Sequence, residues 1–166
     1  MIFVSEKDVE ENLKMDELIG SLEEIFIDYA NGEAYSNARD RIKTEEFTLN
    51  TMPALIKRYG IAGLKTYISG KGEAKFVVIV FDLKNFEKIA VIEANRLGQM
   101  RTGAVTALAS KILFRERDPI FTLIGSGFQA ETQLDGILTL FNPKEIRVYS
   151  RNFEHAREFV ERNNKK

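Results

Sequence analysis

The amino-acid sequence predicts an α/β protein in two parts, and three patterns support this. Residues 52–94 contain short apolar, β-branched and aromatic runs separated by turn residues, which is typical of strands. Residues 96–114 carry apolar side chains at helical spacing. After residue 119 the runs alternate as strand, helix, strand, helix. We therefore expect an α+β part followed by a short β-α-β-α unit.

The first fifty residues are expected to be helical and then irregular. Ser5, followed by Asp8, can cap a short first helix. A longer helix begins near Asp16 and has these apolar residues at helical spacing: Leu18, Ile19, Leu22, Ile25, Phe26 and Tyr29. Gly32 supplies a stop for it. The polar stretch 36–50 predicts a loop that leads into an edge strand.

The middle of the chain predicts a sheet. Extended segments are expected at 52–57, 61–68 and 75–82. The third contains an unbroken apolar run from Phe76 to Phe81, which suggests a strand covered on both faces. A turn then leads to an extended segment at 88–94, so residues 75–94 are expected to form a hairpin.

A long helix is expected over residues 96–114, followed by a domain boundary. The predicted apolar stripe of this helix consists of Val105, Leu108, Ala109, Ile112 and Leu113. The segment RERDP (115–119) then places four charges before a proline, which is typical of a hinge. We therefore predict two domains, residues 1–117 and residues 118–166.

Composition excludes several classes of function. The chain has 24 Lys and Arg against 25 Asp and Glu, so it lacks the broad basic field of nucleic-acid-binding proteins. It has no cysteine and a single histidine, His155, so no metal site is expected. The N-terminus lacks the features of a signal peptide, and no apolar run approaches the ~20 residues that span a bilayer. We expect a soluble cytoplasmic protein without a membrane partner.

The stretch IFTLIGSGFQAETQ (120–133) has the form of a dinucleotide-binding turn. Gly125, Gly127 and Ala130 fit G-x-G-x-x-(G/A): the first glycine permits the turn, the second lets a pyrophosphate approach, and the small third residue lets helix and strand pack. The helix that follows would offer its first N–H groups to the phosphates. Two glycines can also serve a turn alone, but the strand before and the helix after favour a nucleotide site.

The end of the second predicted strand, at Tyr149–Asn152, indicates which cofactor binds. NAD-selective sites generally carry a carboxylate there for the ribose hydroxyls, and this stretch has none. Ser150 and Arg151 would suit a 2′-phosphate, because a guanidinium can pair with it through two hydrogen bonds. The sequence therefore favours NADP(H) over NAD(H). The alternative is that Arg151 is a solvated residue before a helix.

Three basic residues in the first part are candidates for anion binding. Lys65 lies in a predicted strand with few other charges, and buried ammonium groups are rare unless an anion pairs with them. Arg101 lies near the start of a largely apolar helix, where the helix dipole disfavours a cation. Arg41 is the third candidate. Taken singly, each can also be a solvent-facing or ion-paired side chain.

Several segments together resemble one protein family. These are IEANRLGQMRTGAVTALASKIL (92–113), LIGSGFQAETQ (123–133), TMPAL (51–55) and GLK (63–65). In their order and approximate spacing they resemble the ornithine cyclodeaminase/mu-crystallin family, which includes archaeal alanine dehydrogenases and ketimine reductases. The resemblance covers essentially the whole chain. It implies a first domain that binds a small amino or imino acid and forms a homodimer, and a Rossmann-type second domain that binds NAD(P).

The resemblance also implies roles for individual residues. Arg41, Lys65 and Arg101 would bind the substrate carboxylate, Lys65 would assist catalysis by moving a proton, and Met52 would border the substrate pocket. The residues implied to hold the cofactor are Thr102, Gly125, Gly127, Phe128, Gln129, Ala130, Ser150 and Arg151. The chemistry implied is hydride transfer between the nicotinamide and the α-carbon of the substrate, through an imine.

One departure from the family pattern concerns the end of the chain. The catalytic aspartate of the family lies downstream of the second Rossmann strand, and so does the segment that completes the first domain. From the sequence we therefore expect a C-terminally truncated chain with an incomplete Rossmann unit, inactive by itself in deamination, dehydrogenation or imine reduction. The alternative is a non-catalytic, dimeric ligand-binding or remnant module of the same family.

Overall fold

The computed structural model describes residues 1–115 and 119–164, which form two compact units. Unit 1 contains Met1–Leu13 and Glu23–Gly98, and unit 2 contains Lys14–Leu22 and the described residues from Gln99 onward. The predicted domain boundary between residues 117 and 118 lies outside the described residues.

In chain order, a strand and two helices precede six consecutive strands, and a third helix then leads into a β-α-β-α unit. The strands are β1 (Ile2–Val4), β2 (Ala34–Ser36), β3 (Asp40–Lys43), β4 (Phe47–Ile56), β5 (Ile61–Gly70), β6 (Glu73–Asp82), β7 (Glu87–Glu93), β8 (Ile120–Ile124) and β9 (Glu145–Tyr149). The helices are α1 (Glu6–Asn12), α2 (Met15–Ala30), α3 (Asn95–Leu113), α4 (Phe128–Leu140) and α5 (Phe153–Asn163). The predicted α/β class is confirmed.

Unit 1 is built on a seven-stranded sheet of order β1-β7-β6-β5-β4-β2, with β3 also paired to β4. The strands pair antiparallel except for β1, which lies parallel to β7. The predicted hairpin at 75–94 is the β6–β7 pair, with a register shift between Val80 and Phe81. Ten-residue β4, β5 and β6 therefore provide a broad surface on which side chains at matching positions share a face.

Local sequence signals place the first helices correctly. Ser5 caps α1 through its side chain, and the Asp8 carboxylate accepts from the Ser5 N–H, as predicted. Gly32 has φ +73, the left-handed conformation in which glycine ends a helix without strain. In unit 1 the buried Asp28 of α2 accepts two hydrogen bonds from Arg58 at 2.8 and 2.6 Å, which raises the pKa of Arg58.

Two expectations for unit 1 are wrong. Residues 36–50 are not one loop, because residues 40–43 form β3 and the following turn leads into β4. All side chains of β3 are exposed, which suits polar residues. Its sequence therefore lacks the alternation of apolar and polar residues that marks a half-buried strand. The Phe76–Phe81 run is half-buried, since neither face of β6 is fully covered within the described residues.

Unit 2 has the predicted β-α-β-α order, with β8 and β9 paired in parallel. Ala130 and Leu134 of α4 and Phe159 of α5 form a buried cluster, packed against Leu123 of β8 and Val148 of β9. A second cluster joins α2 to α3 through Ile19, Ala104, Ala107 and Leu108.

The apolar stripe predicted for α3 is largely wrong. Of its members only Leu108 is buried, whereas Ala109, Ile112 and Leu113 are exposed and Val105 is half-buried. The buried residues of the helix are Gln99, Met100, Gly103, Ala104, Ala107 and Leu108. Most of these are small or polar, so a pattern of large apolar residues could not find them. The small residues allow a close approach of a second helix.

Candidate functional site: a dinucleotide turn and a basic sheet face

The glycine turn between β8 and α4 has the geometry that its sequence predicts. Gly125 has φ +107, a backbone conformation that L-residues rarely adopt, and its N–H donates to the Tyr149 carbonyl at 2.7 Å. Gly127 caps α4 in an extended conformation, without a side-chain hydrogen bond. Ala130 is buried between α4 and the strands. The first and third positions therefore serve the fold.

Gly127 serves a different purpose from its neighbours. Its φ of −86 suits any residue, and a Cβ built there meets nothing within 4 Å. The fold alone would accept serine, which is a better helix cap than glycine. The space in front of Gly127 and the first N–H groups of α4, at Phe128 and Gln129, is where a pyrophosphate would approach the backbone. The residues at this turn thus fit a dinucleotide.

A pocket of about 450 Å³ opens at the ends of β8 and β9. It is lined by the glycine turn, by Tyr149, Ser150 and Arg151 after β9, and by His155 of α5. Arg151 and His155 are exposed, and Asn152 caps α5 by accepting from the Glu154 N–H at 3.0 Å. The structure therefore brings the predicted phosphate turn and the predicted Ser150–Arg151 pair into one pocket.

Sequence reasoning missed His155 as a pocket residue. His155 is the third residue of α5, and the first turn of this helix faces the glycine turn across the pocket. The available signal was its position just after the end of a second strand, where dinucleotide folds bind the ribose.

In unit 2, helices α3 and α4 cross at backbone contact. A Cβ at Gly103 would overlap the Thr132 carbonyl, and one at Gly136 would lie 2.5 Å from the Gly103 carbonyl oxygen. The Gln99 side chain donates to the Phe128 carbonyl, and the Thr132 hydroxyl donates to the Gln99 carbonyl at 2.9 Å. The segment of α3 that carries Arg101 and Thr102 is thereby bonded to the first turn of α4.

The electrostatic reason given for an anion at Arg101 is wrong. Helix α3 begins at Asn95, so Arg101 lies in its second turn, beyond the reach of the terminal dipole. The positive end of the helix already has an anion, because the Glu6 carboxylate accepts from the N–H groups of Asn95 and Arg96 at 2.6 and 3.0 Å. Arg101 is exposed and Thr102 half-buried, and their assigned roles stay predictions.

The predicted substrate residues of unit 1 share one face of the sheet. Met52 pairs with Lys65 across β4 and β5, and Asn50 pairs with Arg41 on one side and with Tyr67 on the other. Directly opposed residues, and residues two apart on one strand, point to the same side. Arg41, Met52 and Lys65 are therefore neighbours on the face that also carries Tyr67.

Tyr67 is the centre of a small cationic cluster on that face. Its ring stacks on Phe76 with centroids 4.4 Å apart. The Lys65 ammonium and the Arg39 guanidinium carbon each lie 5.7 Å from the centroid of the Tyr67 ring. Sequence reasoning missed Tyr67, although it lies two residues after Lys65 on the same strand, and it missed Arg39, which reaches the Tyr67 ring through a tertiary contact.

Other classes of site find no support in residues 1–115 and 119–164. No group of three or more His, Cys, Asp or Glu side chains in these ranges is arranged to hold a metal ion. None of the helices there combines the length and the apolar character that crossing a bilayer requires.

Known proteins resemble this chain in both sequence and structure. Alanine dehydrogenase of Archaeoglobus fulgidus is 31% identical over 166 residues, which cover 96% of this chain and 51% of that protein. Mouse ketimine reductase mu-crystallin is 33% identical over 83 residues, 50% of this chain and 26% of that protein. The chain spans about half the length of the alanine dehydrogenase that it matches.

Two solved structures share the fold closely. An archaeal alanine dehydrogenase dimer with bound NAD superposes with a TM-score of 0.93 at 29% identity, covering 99% of this chain and 53% of that one. The Δ1-pyrroline-2-carboxylate reductase of Thermococcus litoralis, in complex with NADH and L-proline, gives a TM-score of 0.91 at 28% identity and covers 99% and 54%.

The family model for the ornithine cyclodeaminase/mu-crystallin family matches residues 1–166. The match includes the RTGA segment of α3, the glycine turn and the strands that carry Met52 and Lys65. The family resemblance predicted from those segments is confirmed. The chain belongs to the ornithine cyclodeaminase/mu-crystallin family.

Proposed function

We propose that these 166 residues form the cofactor-binding turn and the carboxylate-binding face of an NAD(P)-dependent enzyme acting on a small amino or imino acid. The reaction class is dehydrogenation, imine reduction or cyclodeamination. One observation at Gly127 carries this proposal. Gly127 caps α4, the position of its missing Cβ is open space, and the pocket in front of it extends to Ser150 and Arg151.

Each part of the pocket has a role toward a dinucleotide. The N–H groups of Phe128 and Gln129 and the positive end of α4 bind the pyrophosphate, with Thr102 nearby on α3. Gly125 makes the turn, and Ala130 holds the helix against the sheet. The bound cofactor supplies hydride chemistry at its nicotinamide ring.

The basic face of unit 1 supplies the means to hold a carboxylate. Arg41 and Lys65 share this face with Met52, and a guanidinium and an ammonium together form charge-assisted hydrogen bonds to one carboxylate. We assign Arg101 to the same carboxylate by the family resemblance. Lys65 is the proposed proton-transfer residue by the family resemblance, since an amine can donate and accept a proton.

The proposed cofactor preference is NADP(H). The relatives with cofactor in their structures hold NAD and NADH. In this chain the stretch after β9 carries Ser150 and Arg151 and no carboxylate, and both line the pocket. A hydroxyl and a guanidinium at that position favour a 2′-phosphate over a free 2′-hydroxyl.

We further propose a cytoplasmic homodimer that assembles through unit 1. Ile42, Leu49 and Ile68 are aligned across β3, β4 and β5 on the sheet face opposite Lys65, and all three are exposed. The archaeal alanine dehydrogenase of the same fold is a dimer.

The cofactor proposal is tested by titrating the 166-residue chain with NADPH and NADH and following nicotinamide fluorescence. We expect the wild-type chain to bind, and Gly127→Ser to weaken binding about tenfold or more, because the new side chain fills the space where the pyrophosphate approaches. Serine at this cap should maintain or raise the melting temperature, so lost binding cannot be attributed to lost folding.

Gly20→Ser is the matched control. Gly20 lies within α2, and a Cβ placed there also meets nothing within 4 Å, so the same substitution should leave cofactor binding unchanged. A wild-type chain that binds neither NADPH nor NADH at millimolar concentration would contradict the proposed function. Equal binding by Gly127→Ser and wild type would remove the glycine turn from the site.

A further inference from the structure

We propose that Gln99 and Thr132 are positioning residues that hold the phosphate-binding turn of α4 in register with the Arg101–Thr102 segment of α3. The inference rests on the proposed cofactor function of the turn. Neither residue belongs to the glycine motif or to the basic face, and neither touches the pocket described above. Their role follows from hydrogen bonds that lie within unit 2.

The two side chains form a buried polar link between the helices. Gln99 is 2% exposed and Thr132 is 0% exposed. The Gln99 amide donates to the carbonyl of Phe128, the first residue of α4. The Thr132 hydroxyl lies 2.9 Å from the Gln99 carbonyl and 3.2 Å from the Gln129 carbonyl, so it contacts both helices. The Gln99 bond therefore ends at the first residue of α4, and the Thr132 bond ends at Gln99 itself.

The contact is also fixed sterically. Gly103 and Gly136 let the two backbones touch, so α3 cannot approach α4 more closely at this point. Close packing sets the distance between the two helices. Glycines have no side chains to interlock, however, so their contact does little to stop one helix from sliding along the other. Hydrogen bonds with fixed donors and acceptors set the register. Gln99 and Thr132 supply them at the end of α4 nearest the phosphates.

This arrangement has a functional consequence. Phosphate binding at a helix N-terminus depends on the direction of the first N–H groups, here those of Phe128 and Gln129. The Phe128 carbonyl accepts from Gln99 and belongs to the same peptide unit as the Gln129 N–H, and the Thr132 hydroxyl lies within hydrogen-bond distance of the next carbonyl, that of Gln129. A change in the link therefore tilts the peptide unit that presents the Gln129 N–H to the pyrophosphate, and it also moves this unit relative to Thr102, which directly precedes Gly103 at the helix crossing.

The test compares Thr132→Val with Thr132→Ser in the full 166-residue chain. Valine keeps the shape and removes the hydroxyl, whereas serine keeps the hydroxyl. We expect Thr132→Val to weaken NADPH binding about tenfold, and Thr132→Ser to stay within about twofold of wild type. Gln99→Met removes the amide donor and should weaken NADPH binding to the same extent as Thr132→Val. It provides a second test of the link if Thr132→Val folds poorly.

Thr139→Val is the matched control for loss of a threonine hydroxyl in α4. The Thr139 hydroxyl donates to the Asp135 carbonyl at 2.8 Å, but it is exposed and lies in the last turn. We expect it to leave NADPH binding unchanged. Amide hydrogen exchange of residues 130–134, whose N–H groups are hydrogen-bonded within α4, is the second readout, and it should accelerate about tenfold in Thr132→Val and not in Thr139→Val.

The outcomes separate the two proposals. If the wild-type chain binds NADPH and Thr132→Val binds it equally well at a lower melting temperature, Thr132 is structural only and the inference is wrong. If the wild-type chain binds neither cofactor, the proposed function fails, and hydrogen exchange alone then decides the inference. Unchanged exchange at residues 130–134 in Thr132→Val overturns it, and accelerated exchange supports it.

Discussion

Arg151 lies just after β9, in the pocket that also contains the glycine turn. We expect Arg151→Gln to weaken NADPH binding about tenfold or more, because a hydrogen bond between charged groups contributes roughly 1.5–3 kcal/mol. NADH has no 2′-phosphate, so its dissociation constant should change by less than about twofold. Parallel fluorescence titrations with the two cofactors measure the difference.

A matched arginine in the same region controls for overall charge. Arg157 lies on α5 and is ion-paired there with Glu154 at 2.7 Å. Arg157→Gln removes one positive charge without reaching the pocket, so both cofactors should bind it as they bind the wild type. If Arg151→Gln leaves the ratio of NADPH to NADH affinity unchanged, the NADP(H) preference is wrong, and Arg151 is the solvated residue of the alternative interpretation.

Residue-level prediction succeeded where the chemistry is local. A glycine with positive φ at residue 125 follows from the motif itself, and so does the position of Ser150 and Arg151 after the second strand. Tyr67 could also have been found, because it lies two residues after Lys65 on one predicted strand and alternate residues of a strand share a face. Arg39 could not, because it reaches the Tyr67 ring only through the path of the chain before β3, which is a tertiary property.

At the scale of elements, helix α3 contains two glycines that can be compared, one at the crossing with α4 and one away from it. A Cβ at Gly103 would overlap the backbone of α4, whereas a Cβ at Gly98 meets nothing within 4 Å. We expect Gly103→Ala to lower the free energy of unfolding by about 3 kcal/mol or more, since backbone cannot move aside as a side chain can. Gly98→Ala should raise it by up to about 1 kcal/mol through helix propensity.

Urea unfolding followed by circular dichroism measures both variants. Because the crossing lies beside the first turn of α4, Gly103→Ala should also weaken NADPH binding at temperatures where it remains folded. Equal stability of Gly103→Ala and Gly98→Ala would show that the helices are farther apart than the structure has them.

The elements themselves were predictable from the sequence, but the packing of α3 was not, and the close crossing with α4 explains this difference. Helical spacing and turn residues placed most strands and helices to within a few residues. The pattern for α3 favoured its large apolar residues, Ile112 and Leu113, yet the helix buries Ala104 and Ala107 instead. A close crossing selects small residues, and small residues give little hydrophobic signal.

For the molecule as a whole, the fold leaves one sheet face of unit 1 apolar and open. Ile42, Leu49 and Ile68 are aligned across β3, β4 and β5, with 67, 42 and 48% of their surface exposed. Among the described residues of unit 1, the buried apolar side chains are Val9, Ala34 and Ala94. A contiguous exposed apolar surface on a half-buried sheet is typical of an interface.

We expect the wild-type chain to sediment as a dimer of twice its 19.0 kDa mass at micromolar concentration. Ile68→Glu should give a monomer, because dimerisation would take out of water a carboxylate that lies beside Leu49 and opposite Lys75 on β6. Phe86→Glu is the control: Phe86 is 89% exposed in the turn between β6 and β7, away from the face, so that variant should stay dimeric. A dimeric Ile68→Glu chain would contradict this interface, whereas a monomeric wild type would contradict the dimer itself. Because Lys65 lies on the opposite face of β5, the monomer formed by Ile68→Glu should keep its basic face intact.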